Sequence, residues 1–469
     1  MRQRSLRWAA LLAGVAAFIG VLSPGALGAE QPAGPVQADL PQCAGSASWP
    51  FVGADLSNSR DASGGPSASA IGSLKVLWRF HAGNGDFTGT PIVANCTVYV
   101  GSNGGWVRAL RSSDGQPIWQ THLGGPIPSS AAVSGRRVFV AVANPGGPSV
   151  AALDAATGQL LWNTSIDHQP ESDAYGSPIL YRGVVYEGIG GLVTSEVSSS
   201  SIHVRGGLVA LDAASGSVLW HSYTVPAGDD GGAIWSSPSV DPSTGLLYVG
   251  DGNAYHSPAA PTTDSLLVFD AASGALLRHY QATAGDVFNG VNAITGPDLD
   301  FGASPNLLTL RDGTPAVGIG QKSGLYWMFQ RSDLKPIWQT RVGPADAFGG
   351  IVGPTAVDGS RVYGPNTLPG YLWALNQQGG KLAWLDPSLD PLHYGPASVS
   401  NGVVYSDDSY GFLDAVNASS GLLLARFPLN PIPTSTYAEA YGGVSVAGGI
   451  LFTDTGSQST NGDVIALSG

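Results

Sequence analysis

The residues of this chain best suited to chemistry fall in a run of loops over positions 190–327. They are Glu196 in "GGLVTSEVSSSSIHVRGG", Trp235 in "GGAIWSSPSVDP", Asn253 in "YVGDGNAYHSP", Asp286 in "ATAGDVFNGVN", Asp298 and Asp300 in "TGPDLDFGASP", and Lys322 in "GIGQKSGLYW". Glutamate is rare here, so a loop Glu accompanied by an Asn and several Asp suggests oxygen ligation of a hard cation such as Ca²⁺, which gathers about six to eight oxygens. Taken singly, each acid reads more readily as a solvated loop charge or a turn-capping Asp than as a metal ligand. Only convergence in space separates the two readings.

Those loops interrupt a repeat. "VAALDAATGQLLW" at Val150–Trp162 and "LVALDAASGSVLW" at Leu208–Trp220 share an apolar strand ending in Leu-Asp, a Gly-containing turn and a second strand ending in Trp. Weaker copies end at Trp119, Arg278, Trp338, Trp384 and Ala425. Each copy reads as a hairpin whose Gly supplies the positive φ of the turn. Two further short strands precede it, as in "SSAAVSG" and "RRVFVAVA". Four strands per unit at a period of about 40 to 60 residues, with no helical periodicity, predict the blades of a β-propeller. The closing Trp is read as a structural wedge between blades.

The chain ends carry complementary half-units, "GSLKVLWRF" near Trp78 and the C-terminal "GDVIALSG". Pairing them completes one more blade and removes two open sheet edges. The fold class is therefore all-β: a single propeller of about eight four-stranded antiparallel blades, closed by its own N- and C-terminal strands. The blades ending at Trp220, Arg278 and Trp338 are longer than the rest through their loops, which marks them as the binding face.

Residues 1–29 have the order of a secretory signal peptide: basic "MRQRSLR", apolar "WAALLAGVAAFIGVL" and the small-residue "SPGALGA". Cleavage is expected after Gly28 or Ala29, with an uncleaved anchor as the alternative; no later segment is apolar enough to span a bilayer. Residues 30–48 read as a Pro/Ala-rich linker, and 49–469 as the propeller. The destination is the cell exterior or envelope. There Cys43 and Cys96, the two cysteines of the chain, would be joined. A net charge of −13 with 12% charged residues argues against a nucleic-acid partner. The absence of Cys-x-x-Cys-His excludes covalent haem, so any electrons leave to an external acceptor.

The chain resembles the pyrroloquinoline-quinone (PQQ) dependent alcohol dehydrogenases, secreted eight-bladed propellers that bind PQQ and Ca²⁺ on the axis. The likeness begins at "WPFVGADLSNSR" (Trp49–Arg60) and is densest from "VRGGLVALDAASGSVLWHSYTVP" through "AIWSSPSVDPSTGLLYVGDGN" to "GQKSGLYW". "GPDLDFGASP" is most similar to the polyvinyl-alcohol dehydrogenase branch. By this resemblance Trp235 would form the floor of the quinone, Glu196 and Asn253 would bind Ca²⁺, and Lys322 would reach the quinone oxygens. An alcohol would be oxidised by hydride removal, with an Asp taking its hydroxyl proton.

Two departures accompany the likeness. Asn289, in "GDVFN", stands where the family's catalytic Asp is expected, which leaves Asp286, Asp298 or Asp300 as the base. The adjacent cysteine pair common in relatives is missing. A non-catalytic PQQ-like propeller, serving as a binding or envelope-assembly scaffold, is thus the rival reading. A hydrolase or lectin using the same funnel is a third, although no Ser-His-Asp set can be read across separate blades. His168, His203 and His256 are read as exposed loop residues.

Overall fold

The computed structural model describes residues 48–192, 201–289, 296–386, 392–429, 440–456 and 461–469. Glu196, Cys43 and the predicted signal peptide lie outside them. The described residues form eight antiparallel sheets, seven of them running inner to outer in chain order, with one 3-10 turn at Ile71–Ser73 beside them. Blades 1 to 7 begin at Ile92, Ala132, Ile179, Ser239, Asn306, Ala356 and Ser398. In blade 3 an extra pair, Ser172–Asp173, joins the far end of Val184–Gly191. No helix among the described residues is long and apolar enough to cross a membrane.

Blade 8 is the composite one. Ser445–Ala447, Ile450–Asp454 and Gly462–Ser468 are completed by Lys75–Ala82, in register from Lys75↔Ser468 to Ala82↔Gly462. Val464, Ile465, Ala466 and Leu467 are fully buried. Arg79 and His81 both reach the Asp463 carboxylate, His81 at 2.7 Å. Cys96 is disulfide-bonded, and Cys43 is the one other cysteine in the sequence.

Second strands such as Thr97–Gly101 are buried along their whole length, whereas outer strands such as Leu160–Ser165 alternate between exposed and half-buried positions. A blade packed on both flanks needs apolar residues on both faces; its outer edge needs them on neither. The wedge reading of the tryptophans holds in detail. The Trp119 indole donates to Ala155 O at 2.9 Å and lies on Gly158 of the next blade's turn. Gly158 has φ +70°, and a Cβ there would sit 2.5 Å from the ring. Trp78, Trp162, Trp220, Trp338 and Trp384 repeat this seat on Gly115, Gly216, Gly274, Gly380 and Gly421. Where a blade ends at Arg278 instead of Trp, the next turn has buried Leu334 in place of the Gly. Ring and glycine are absent together because each exists to fit the other.

Trp119→Ala removes a buried ring and its hydrogen bond and is expected to cost about 3–5 kcal/mol. Denaturant unfolding measures it, and a variant as stable as the parent would show that the ring carries no inter-blade packing.

The segment from Trp49 to Ala62 runs along the inner edges of the blades. Trp49 exchanges two backbone bonds with Val93; Pro50, Leu56, Ser57, Ser59 and Arg60 offer carbonyls to the N–H groups of Val133, Val240, Leu307, Val357 and Val399. Each innermost strand has an unpaired edge facing the axis, and this segment satisfies it in blades 1, 2, 4, 5, 6 and 7. Arg60 is fully buried there, donating to Ala397 O at 2.7 Å and Ser398 Oγ at 3.0 Å. Burial pushes its guanidinium down to about 9, opposed by the charge of Asp407.

Candidate functional site

In an up-and-down four-stranded blade, the link from the second to the third strand and the link to the next blade lie at the same end. Asp251 to Asn253 follow Leu246–Gly250 of blade 4, and Gln321 and Lys322 follow Pro315–Gly320 of blade 5. Trp235 lies in the link from blade 3 to blade 4, and Asp286, Asp298 and Asp300 in the link from blade 4 to blade 5. Topology alone therefore gathers these residues at one end of the ring. Glu196, on the link inside blade 3, lies outside the described residues.

Lys322 organises the cluster. Its Nζ is 2.7 Å from Asp298 Oδ1 and 2.8 Å from Asp300 Oδ2, with the ammonium 5.4 Å from the centre of the Trp235 ring. Lys322 is 9% exposed, Asp298 3% and Asp300 4%, so these contacts are shielded from water and strengthened by the low local dielectric. The backbone reinforces them, since Lys322 N–H donates to Asp300 O at 3.0 Å.

Asn253 N–H donates to Asp300 Oδ1 at 3.0 Å, and the side-chain amide donates to Ala254 O and Phe288 O at 2.7 and 2.8 Å. Spending both amide hydrogens fixes the orientation of the side chain and leaves Oδ1 as an acceptor. Asp286 accepts the N–H groups of Asp298 and Leu299 at 3.2 and 2.9 Å. Those bonds shape the turn on which Asp298 stands with φ +57°. Burial raises the Asp286 carboxyl above its usual range, against the lowering effect of the two N–H groups. Asn289 donates to Tyr255 O at 3.2 Å.

Two acids not singled out from the sequence join the cluster. Asp251 and Asp264 are fully buried, and among the described residues neither Asp251 Oδ2 nor either Asp264 oxygen has a hydrogen-bond partner. Burial pushes both well above the ordinary carboxylate range. Asp300 adds to this for Asp251, and Asp300, Asp286, Asp251 and Asp298 add to it for Asp264. In the sequence each sits in a short polar turn, and nothing local distinguishes it from a capping Asp.

A metal and a planar cofactor fit these residues on two grounds. Five carboxyl groups around one lysine, some with orphaned oxygens, form a donor set suited to a hard cation. The edge of the Trp235 ring lies so close over Gly302 that a Cβ there would come within 1.9 Å of it, so the absence of a side chain at Gly302 makes room for the indole. The ring itself is only partly covered and presents a flat surface next to a cation.

A family model described as "Outer membrane protein assembly factor BamB" matches residues 67–296. A polyvinylalcohol dehydrogenase of a Pseudomonas species is 30% identical over 474 residues, covering 87% of this chain and 73% of that protein. One from Sphingopyxis is 28% identical, covering 82% and 69%. Among solved structures, the quinohemoprotein alcohol dehydrogenase from Comamonas testosteroni superposes with a TM-score of 0.73 over 90% of this chain and 80% of that one, at 20% identity. The paired strands, the seated tryptophans and this likeness over most of its length place the chain in the PQQ-dependent alcohol dehydrogenase family, beside the polyvinyl-alcohol dehydrogenases.

Proposed function

We propose that the protein is a secreted quinoprotein that oxidises an alcohol, secondary or polymeric, with PQQ and a hard cation such as Ca²⁺, and hands electrons to an external acceptor. The observation that carries this reading is Lys322, held by Asp298 and Asp300 and poised over Trp235. Trp235 would support the flat face of the cofactor, and Lys322 would meet the oxygens on which negative charge grows during reduction. Asn253 Oδ1, Glu196 and the neighbouring aspartates would hold the cation. PQQ, when bound, supplies the acceptor for the hydride that leaves the carbinol carbon.

Asp300 is the base in this reading. Both carboxylates are engaged at each oxygen, Asp286 by two N–H groups of its own loop and Asp300 by the Asn253 N–H and the Lys322 ammonium. Asp300 is chosen because its Oδ2 lies beside the cation that would meet the quinone oxygens. Asp300 Oδ2 would take the hydroxyl proton, and Lys322 would steady the charge before transfer. Residues 1–29 would direct export and leave 30–48 as a tether. The names of the relatives support an alcohol as substrate.

The scaffold reading draws on the assembly-factor family model and on Asn289. A titration of the purified protein with PQQ, with and without Ca²⁺, separates the two. Quinone absorbance changes accompanied by reduction of an artificial acceptor are expected on adding an alcohol. Binding without turnover would favour the scaffold, and no binding would remove the quinoprotein reading.

A further inference from the structure

Beside this site, three loops bring together two histidines and an aspartate that the reaction above does not use. His203 Nδ1 lies 2.8 Å and His256 Nδ1 2.6 Å from the same oxygen, Asp230 Oδ2, and the two imidazoles stack with centroids 4.4 Å apart at 20°. The other carboxylate oxygen, Oδ1, accepts the His256 N–H at 3.0 Å. Asp230 is 8% exposed at its side chain, His256 32% and His203 69%. His256 is thus more covered than its loop position predicts, and the cluster is open to solvent on the His203 side.

We propose that His203, Asp230 and His256 form a second metal site, selective for a borderline transition ion such as Zn²⁺. The donor set is two imidazole nitrogens and one carboxylate oxygen, all within 4.8 Å of one another. Zn²⁺ takes nitrogen at about 2.0–2.1 Å and carboxylate oxygen at about 2.0–2.2 Å, with water completing four-coordination. The ligand atoms must spread by a few tenths of an ångström to admit the ion, which exposed His203 can allow by a small swing of its ring. The His256 N–H bond to Oδ1 already orients the carboxylate and leaves Oδ2 turned toward the two imidazoles. Ca²⁺, which prefers an all-oxygen shell, is poorly matched.

A second His/Asp group, His393 with Asp408 and Asp414, makes the contrast. It is fully buried and already holds a cation, since Arg426 pairs with both acids. The exposed cluster has no such competitor in contact with Asp230 among the described residues.

The position of the proposed ion gives it a consequence. The segment of His203 is bound to the loop of Asp230 through Gly231 N–H to Val204 O at 2.8 Å and Gly206 N–H to Gly231 O at 2.9 Å. The loop of Asp230 leads to Trp235 and is bound to the Asn253 turn through Gly232 N–H to Asn253 O at 2.9 Å. His256 lies in that same turn, whose Ala254 exchanges backbone bonds with Asp286 and Phe288. An ion on these three side chains would cross-link the loops that carry Trp235 and Asn253.

Calorimetric titration of untagged, EDTA-stripped protein with Zn²⁺ tests the proposal without PQQ, so its outcome is independent of the quinoprotein reading. One equivalent is expected, with affinity lowered at least tenfold in His203→Ala and in His256→Gln. His203 is largely exposed, so its variant should fold as the parent does. Zn²⁺ should also raise the melting temperature of the parent and leave that of His203→Ala unchanged. No Zn²⁺ bound by the parent, or an equivalent that survives both histidine variants, would overturn the assignment. Survival in those variants combined with loss in Asp300→Asn would put the ion on the aspartate cluster instead.

Discussion

Asp300→Asn is expected to lower turnover of the PQQ-loaded protein by about 10²- to 10⁴-fold, the usual worth of a positioned base, and to leave PQQ binding within a few-fold of the parent. The amide keeps the size of the side chain and can still accept the Asn253 N–H, but it cannot take a proton at neutral pH. Lys322 retains Asp298 as a partner 2.7 Å away, so the ammonium over Trp235 should stay in place. A fall in the rate constant at saturating alcohol, with little change in quinone affinity, is the signature of a group that acts in the transition state. Asp298→Asn should cost less, since Asp300 continues to hold the lysine. If Asp300→Asn turns over like the parent while Asp298→Asn or Asp286→Asn is inactive, the base is the residue whose variant fails.

Deleting Asp463–Gly469 is expected to destroy the closed ring. The deletion removes the fully buried Val464, Ile465, Ala466 and Leu467, breaks the ladder to Lys75–Ala82 and strips Arg79 and His81 of their shared carboxylate. Two strand edges would then be exposed, and open edges invite association. The truncated protein should aggregate or melt far below the full chain. Ile465→Ala is the milder form of the same test and should cost about 2–5 kcal/mol, measured by thermal or denaturant unfolding. A truncated protein that melts with the parent, or an unaltered Ile465→Ala variant, would mean that the terminal strands do not close the ring.

The sequence by itself determined the blade, the ring and its closure, because each is written in local terms. Alternation over six residues sets a strand, a Gly after Leu-Asp-x-x-x sets the turn, and the half-units around Trp78 and Ile465 can each be completed only by the other. The partnership of Trp119 with Gly158 was legible in part: the repeated Trp was visible, but the glycine beneath it belongs to the following repeat and is identified as its seat only when blades stack. The long loops supplied the candidates Glu196, Trp235, Asn253, Asp286, Asp298, Asp300 and Lys322 by residue type, and the likeness to a known family gave them roles.

What only the tertiary structure decided is which of these side chains meet and which acids are deprived of water. Asp251 and Asp264 resemble ordinary turn residues until the surrounding loops close over them, and burial is a property of the whole assembly rather than of a turn. The axial course of Trp49–Ala62 depends on the inner edges of six different blades, and Arg60 finds its acceptors more than 300 positions away in Ala397 and Ser398. His203, Asp230 and His256 come from three loops with no shared spacing. Chain order fixes which loops reach the same end of a propeller, but the distances across that end follow from the curvature of the ring, which no single repeat encodes.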